Sequence, residues 1–410
     1  MQSACSPTGA LLGLLLSIAL IIILLRLRAD LGLSLFAGAA LIGLFSRLGV
    51  EKVFTTLLLA CVKVPTVRLV FVIILIMFLA ELTSHYGYLE TFTRALENLI
   101  SDRRINMCLI PAFGGLLPMP GGAMWSAPLV NSVAGESDIS PEERTFINYW
   151  FRHVWEYVLP VYPGVVVASA ILAFPIERVI AAQAPLSAAA IIAGAVMVIL
   201  RIRKGSQPLG RRRPSLRAFW QLLSGIWPFA FVITLVVAFK ADLLIVLVSA
   251  IVLIGLLKRT SLRNMANVAR KAFSPSTISL VLGVMAFKDI MEVGGVVRVF
   301  PGLLASLHVP DALVLFLVPM LVGLLTGITQ AFVGVSFPVV MPLIVAAGSH
   351  ASAAAALAYA GGFLGVLLSP VHLCLVLTYQ YFKARLGGVY YLMIFPSLVV
   401  TLVAFLLRLR

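Results

Sequence analysis

Charge is scarce in this sequence, and the scarcity is uneven. Asp, Glu, Lys and Arg together make up 11% of the 410 residues, and none of them occurs from Ala312 to Phe382. A charge-free run of that length far exceeds the ~20 residues that cross a bilayer once, so it must enter or traverse a membrane more than once. With 61% hydrophobic residues and a mean hydropathy of +1.08, too little polar surface remains to clothe a water-soluble globule. The bilayer is therefore the first expected partner.

Cysteine is nearly absent as well. Cys5, Cys61, Cys108 and Cys374 stand far apart, with no CxxC and no Cys/His ligand spacing. The spacing thus indicates neither a disulfide framework nor a zinc site, and small apolar filler is the expected role. HExxH, GxGD and GxSxG are also missing. Their absence leaves a membrane-embedded hydrolase or transferase without support. No enzyme and no resident cofactor or metal are expected, and a channel would need a continuous polar lining that the sequence does not supply.

Acidic residues number 16 against 31 basic ones, a formal charge of +15. In a soluble protein that balance would point to nucleic acid. Here the basic residues sit on short loops between apolar blocks, densest at Arg201, Arg203, Lys204, Arg211, Arg212, Arg213 and Arg217. The positive-inside rule places that run in the cytoplasm of a multi-pass protein of the cell (inner) membrane, and no nucleic-acid partner is expected.

The apolar runs are continuous rather than alternating, which selects helices over a barrel. Simple spans are expected at Gly9 to Leu25, Leu31 to Ser46, Leu69 to Thr83, Val179 to Leu200, Ala218 to Phe239, Leu243 to Leu257, Ala272 to Phe287 and Leu386 to Leu407. The first counts as a span and not as a cleaved signal peptide, because no basic leader precedes it.

Ile105 to Gly135, Thr145 to Phe174, Ala312 to Gly348 and Ala351 to Phe382 are too long for one straight crossing. As single helices they would run ~45 to 55 Å against a hydrocarbon core of ~30 Å. Each carries interruption chemistry: Pro118, Pro120, Gly121 and Gly122; Pro160, Pro163 and Gly164; Thr326, Gly327, Thr329 and Gln330; Gly361, Gly362, Ser369 and Pro370.

The chain also repeats itself. A shift of 208 aligns Met77 with Met285, Glu81 with Asp289, Gly87 with Gly295, Phe92 with Phe300 and Gly115-Leu-Leu117 with Gly323-Leu-Leu325. A shift of 210 aligns Pro128 with Pro338 and Pro160 with Pro370. With the first and third long segments as re-entrant hairpins, each half has about five crossings, an odd number that turns the second half upside down. The expected fold is an all-α polytopic membrane protein of two inverted repeats, each with a re-entrant hairpin and a broken helix. Residues 1–203 form the first repeat, 204–217 the basic cytoplasmic linker and 218–410 the second repeat.

Broken helices matched across two halves point to a mid-membrane substrate site, because half-helix N-termini offer free N–H groups and a positive dipole end to an anion. The ends near Gly121 and Gly327 are the first candidates, with Pro118, Pro120 and Gly122 beside one and Thr326, Thr329 and Gln330 beside the other. Asn148, Arg152 and Glu156 recur at i, i+4 and i+8, which puts them on one helix face, with His153 adjacent. Two readings stand side by side. In one, Arg152 clamps a carboxylate while Glu156 or His153 carries a coupling proton; in the other, Arg152 and Glu156 are a structural ion pair with a snorkelling arginine.

His372 follows Pro370 by two residues, and Tyr162 holds the equivalent place in the first half. An imidazole in a charge-free segment can relay protons, although a buried histidine bonded to a carbonyl is the commoner case. Ser369 and the threonines offer neutral donors, as substrate binding requires and as helical back-bonding also would. Glu81 and Asp289 are candidate cation ligands or, more simply, solvated helix ends. The acidic stretch containing Glu136 and Asp138 reads as a loop, with Ser140-Pro-Glu-Glu143 as a helix start.

The runs Gly115-Leu-Leu-Pro-Met-Pro-Gly-Gly-Ala-Met-Trp-Ser-Ala-Pro128, Asn148-Tyr-Trp-Phe-Arg-His-Val-Trp-Glu156 and Gly327-Ile-Thr-Gln-Ala-Phe-Val-Gly334 resemble a prokaryotic membrane family of unknown function, domain family four hundred and one. More distantly the chain is similar to the ion transporter superfamily of gluconate permeases and citrate or dicarboxylate symporters. That resemblance implies a two-repeat, elevator-type carrier, often homodimeric, that takes anionic substrates with Na⁺ or H⁺. The Ser-Asn-Thr signatures of the sodium/dicarboxylate branch are absent. The expected function is secondary active transport of a small organic anion, with His153, Glu156 and His372 as ion-coupling residues. A cation/proton antiporter using Glu81, Glu156 and Asp289 is the alternative.

Overall fold

A computed structural model describes residues 7–100, 102–119, 121–135, 139–202, 215–296 and 309–409. Pro120, Glu136, Asp138, Phe300 and the basic positions Arg203, Lys204 and Arg211 to Arg213 lie outside the described residues. Within them the regular structure is helical. The first half contains α1 (Pro7–Arg26), α2 (Leu31–Phe45), α3 (Val50–Val62), α4 (Val64–His85), α5 (Tyr88–Leu99), α6 (Arg103–Gly114), α7 (Ala123–Ala134), α8 (Pro141–His153), α9 (Pro163–Leu172) and α10 (Ile176–Arg201). The second contains α11 (Leu216–Ile233), α12 (Leu243–Leu257), α13 (Leu262–Ala272), α14 (Pro275–Val293), α15 (Asp311–Thr326), α16 (Thr329–Ala346), α17 (Ala351–Leu368), α18 (Leu373–Phe382) and α19 (Leu386–Leu409).

Six segments are long and apolar enough to cross a membrane: Val64–His85, Ile176–Arg201, Leu216–Ala238, Thr329–Ala346, Gly348–Phe382 and Leu386–Leu409. These mark the chain as a polytopic membrane protein. Side chains such as Leu200, Leu256, Leu398 and Leu402 point outward along these and neighbouring helices, as a lipid-facing surface requires. Two expected spans are shorter than a full crossing. Helices α2 and α12 have 15 residues each, about 22 Å of helix against a core of ~30 Å.

Local chemistry sets the helix starts. Asp30 caps α2 by accepting from the Leu33 N–H at 3.1 Å, and Asp242 caps α12 through Leu244 at 3.0 Å. At α8 the expected start is a full capping box, with Ser140 and Glu143 satisfying each other's backbone N–H and Pro141 in the first turn.

Positive-φ residues recur with the same order in both halves. Among the described residues Arg28 pairs with Lys240, Arg47 with Arg259, Gly87 with Gly295, Gly121 with Gly327, Gly135 with Gly348 and Ala173 with Lys383, each pair 206 to 213 residues apart. The halves also exchange contacts: α2 packs on α14 and α4 on α12, α3 on α14 and α4 on α13, α9 on α16 and α7 on α18. The core is therefore shared between the halves.

All four long segments are interrupted, and the last corrects an expectation. Gly361 and Gly362 do not break the helix but lie inside α17, which ends at Leu368 immediately before Ser369-Pro370. Proline disfavours helical backbone at the preceding residue, so the break falls there. The glycines serve packing instead: a Cβ on Gly361 would overlap the Phe316 carbonyl, one on Gly365 the Met320 carbonyl and one on Gly323 the Gly362 carbonyl. Helices α15 and α17 thus meet backbone to backbone, as small residues allow in lipid.

Candidate functional site

Four chain breaks meet around one cavity of about 910 Å³. They are the α6–α7 tip, the α8–α9 turn, the α15–α16 tip at Gly327-Ile328 and the α17–α18 turn at Ser369 to His372. Of the residues expected at the site, Pro118, Gly121, Arg152, His153, Glu156 and Tyr162 line the cavity from the first half. Thr326, Gly327, Thr329, Gln330 and His372 line it from the second. The first residues of α9, α16 and α18 also line it, so three half-helix N-termini present their positive ends there.

Gly327 shows why a glycine is needed at the tip. Its φ of 65° is left-handed, and a Cβ would come within 2.9 Å of the His372 backbone nitrogen. The tip of one hairpin therefore touches the break of the neighbouring helix.

Arg152 is 3% exposed and donates Nη1 to the Gly114 carbonyl at 2.7 Å, and Nη2 to the Met119 and Leu117 carbonyls at 3.2 and 3.4 Å. These carbonyls belong to the end of α6 and the unwound tip, where each also accepts one backbone N–H in a tight turn, and Arg152 adds a second donor to each. Glycines make room for it: a Cβ on Gly122 would overlap the guanidinium, and one on Gly115 the Arg152 backbone oxygen. Among the described residues no carboxylate lies within ion-pair distance of Arg152. The ion-pair reading of Arg152 and Glu156 is thus corrected.

The shared helix face is corrected with it. Helix α8 ends at His153, and residues 154–162 form successive tight turns, including the bonds from Glu156 N–H to His153 O and from Tyr162 N–H to Leu159 O. Pro160 disfavours helical continuation just downstream, and Glu156 lies beyond the last residue of α8, so the i+8 spacing does not place it on the α8 face. Asn148 is fully buried and spent on packing: its Nδ2 donates to the Ala123 carbonyl at 3.0 Å and its Oδ1 accepts from Ser126 at 2.7 Å. Ser369, buried as well, donates to the Leu324 carbonyl at 2.7 Å and ties the two breaks together without lining the cavity.

Glu156 instead reaches across to the second half. Thr329 Oγ1 donates to its Oε2 at 3.1 Å, and Tyr359 donates to its backbone carbonyl at 2.9 Å. Its other oxygen lies 3.7 Å from His153 Nε2. His153 Nδ1 sits 2.6 Å from the Tyr149 carbonyl, His372 Nδ1 2.7 Å from the Gly327 carbonyl, and the two Nε2 atoms face each other at 3.2 Å. Tyr162 donates to the Gly115 carbonyl at 2.6 Å. Cys374, taken as filler in the sequence, completes the group: its Sγ and one ring nitrogen of each histidine all lie within 4.8 Å of one another.

Arg26, Arg28 and Asp30 also line the cavity, together with Ser276 and Thr277 at the start of α14. Burial by itself would raise the Asp30 carboxyl. Hydrogen bonds from Ser276, Ser279 and the Leu33 and Gly32 N–H groups outweigh it and hold the carboxyl below its usual range. None of these residues carries a motif, and only proximity in space marks them. Asp289 corrects the expectation of a solvated helix end: it is 5% exposed, lies within α14, pairs with Lys63 at 2.6 Å and is not part of the cavity lining.

No curated protein matches the chain. The family described as "Protein of unknown function (DUF401)" matches residues 8–409, nearly the full length, and the chain belongs to that family.

Proposed function

We propose that this protein is a secondary active transporter of a small organic anion of the carboxylate class, driven by an H⁺ or Na⁺ gradient through elevator-type alternating access. The observation that carries the reading is Arg152: a buried cation without a carboxylate partner, at a cavity faced by three half-helix N-termini. Such a site is built for an anion, since its positive charge and dipoles are incompletely balanced by the protein itself. The cavity volume suits a small organic molecule. His153, Glu156 and His372 are the coupling candidates.

The same reading includes two inverted repeats, 1–203 and 218–410, joined by the linker 204–217, in a homodimer of the cell membrane. The paired positive-φ positions and the exchanged helix contacts support the repeat. Against a cation/proton antiporter stands Asp289, whose carboxylate is occupied by Lys63.

Uptake into proteoliposomes tests the proposal, using imposed pH or Na⁺ gradients and a panel of radiolabelled carboxylates. Accumulation of at least one carboxylate that collapses with the gradient is the expected result. Proton flux driven by cations alone, with no carboxylate uptake, would favour the antiporter.

A further inference from the structure

The histidine pair presents a problem of lone pairs. A carbonyl oxygen only accepts, so the contacts of His153 Nδ1 with Tyr149 O at 2.6 Å and of His372 Nδ1 with Gly327 O at 2.7 Å require the proton on Nδ1 in both rings. Each neutral ring then directs an unprotonated Nε2 at the other, 3.2 Å away. Two lone pairs at that separation repel unless a cation, either a proton or a metal ion, shares them. The carbonyl-bonded Nδ1 with a free Nε2 is the orientation that metal-binding histidines adopt.

We propose that His153, His372 and Cys374 form a binding site for a divalent d-block cation of the zinc class, with Glu156 as the fourth donor, open to the cavity. Zn–N bonds of about 2.0–2.1 Å at the tetrahedral angle put two nitrogens about 3.3 Å apart. The Nε2 separation of 3.2 Å already matches that edge. The Cys374 sulfur and one ring nitrogen of each histidine lie within 4.8 Å of one another, and Glu156 Oε1 stands 3.7 Å from His153 Nε2, its second oxygen held by Thr329. Two imidazoles and a thiolate favour zinc, cobalt or nickel over magnesium, calcium or sodium, which prefer oxygen. Thiolate and carboxylate together neutralise a divalent ion, which removes the main penalty for holding it in a buried place. On binding, the Cys374 thiol proton leaves to water in the cavity and the sulfur takes the metal.

The two imidazoles come from opposite halves, 219 residues apart, so the bound ion would bridge the halves. This site shares the cavity of the proposed transporter, but its test reads binding rather than transport.

Purified protein in lipid nanodiscs is titrated with Co²⁺. One equivalent should give the near-ultraviolet thiolate-to-cobalt charge-transfer band with tetrahedral visible bands, and Zn²⁺ should displace it. Cys374→Ser should abolish the charge-transfer band, and His372→Ala should weaken binding by about 100-fold or more. A Cys61→Ser/Cys108→Ser protein should keep the band. Absence of the band in monodisperse wild-type protein would overturn the proposal without any variant having to fold. So would a Cys374→Ser protein that retains it. Anion uptake after chelation is measured separately and bears on the transporter reading alone.

Discussion

Replacing Arg152 with Gln separates its bracing of the hairpin tip from the proposed role in anion binding. The side chain supplies two donor groups to the hairpin tip, Nη1 to Gly114 O at 2.7 Å and Nη2 shared between Met119 O and Leu117 O at 3.2 and 3.4 Å. A hydrogen bond from a charged donor contributes a net ~1.5–3 kcal/mol, and each of these carbonyls keeps a backbone N–H partner when the guanidinium is lost. Gln is shorter and can satisfy at most one of the two directions, so Arg152→Gln should destabilise the protein by about 1.5–3 kcal/mol. If Arg152 faces the proposed anion, removing its charge should cost a further ~2 to 4 kcal/mol in binding, roughly 30- to 1,000-fold in Kd. Arg152→Lys keeps the charge but loses the fork, and should recover part of the affinity and less of the stability. Thermal unfolding in nanodiscs reads the first quantity, and calorimetric titration with a carboxylate that scores in the proposed uptake assay reads the second. A folded Arg152→Gln protein with wild-type affinity would reject the receptor role, and lost stability with unchanged affinity would leave Arg152 as a brace of the tip.

Two further predictions concern the frame. Gly361→Ala forces a methyl group into the Phe316 carbonyl, and the thermal midpoint should fall in step with an overpacking cost of about 1–3 kcal/mol; an unchanged midpoint would contradict the close approach of α15 and α17. Asp30 has a depressed carboxyl, so the unfolded chain takes up its proton before the folded one does. Its contribution is complete above the ordinary aspartate pKa of about 3.9 and is lost as pH falls through the lower folded value. Melting midpoints of wild type and Asp30→Asn should therefore converge on acidification, and parallel curves would reject that assignment.

Much of the scaffold was legible because it depends on local chemistry. Pro160 and Pro370 favour a break by removing a donor and crowding the preceding residue, although Pro111, Pro128, Pro319 and Pro338 stay inside helices, so proline marks a candidate break that its surroundings decide. The helix start at Ser140 is written in four consecutive residues. Gly361 and Gly362 were misleading because glycine permits both a break and a close approach, and only the backbone of α15 decides which. The i, i+4, i+8 spacing of Asn148, Arg152 and Glu156 failed because α8 ends at His153, so helical spacing no longer governs position 156.

By itself the sequence determined the solvent, the helical class and the candidate places for a break. These follow from transfer energies and backbone sterics that act within a few residues. Only the tertiary structure decided that Arg152 braces a hairpin tip, that Glu156 crosses to Thr329, and that Cys374 joins two histidines. Those contacts join residues as far apart as His153 and Cys374, and no local spacing encodes a meeting that is made by packing one half against the other.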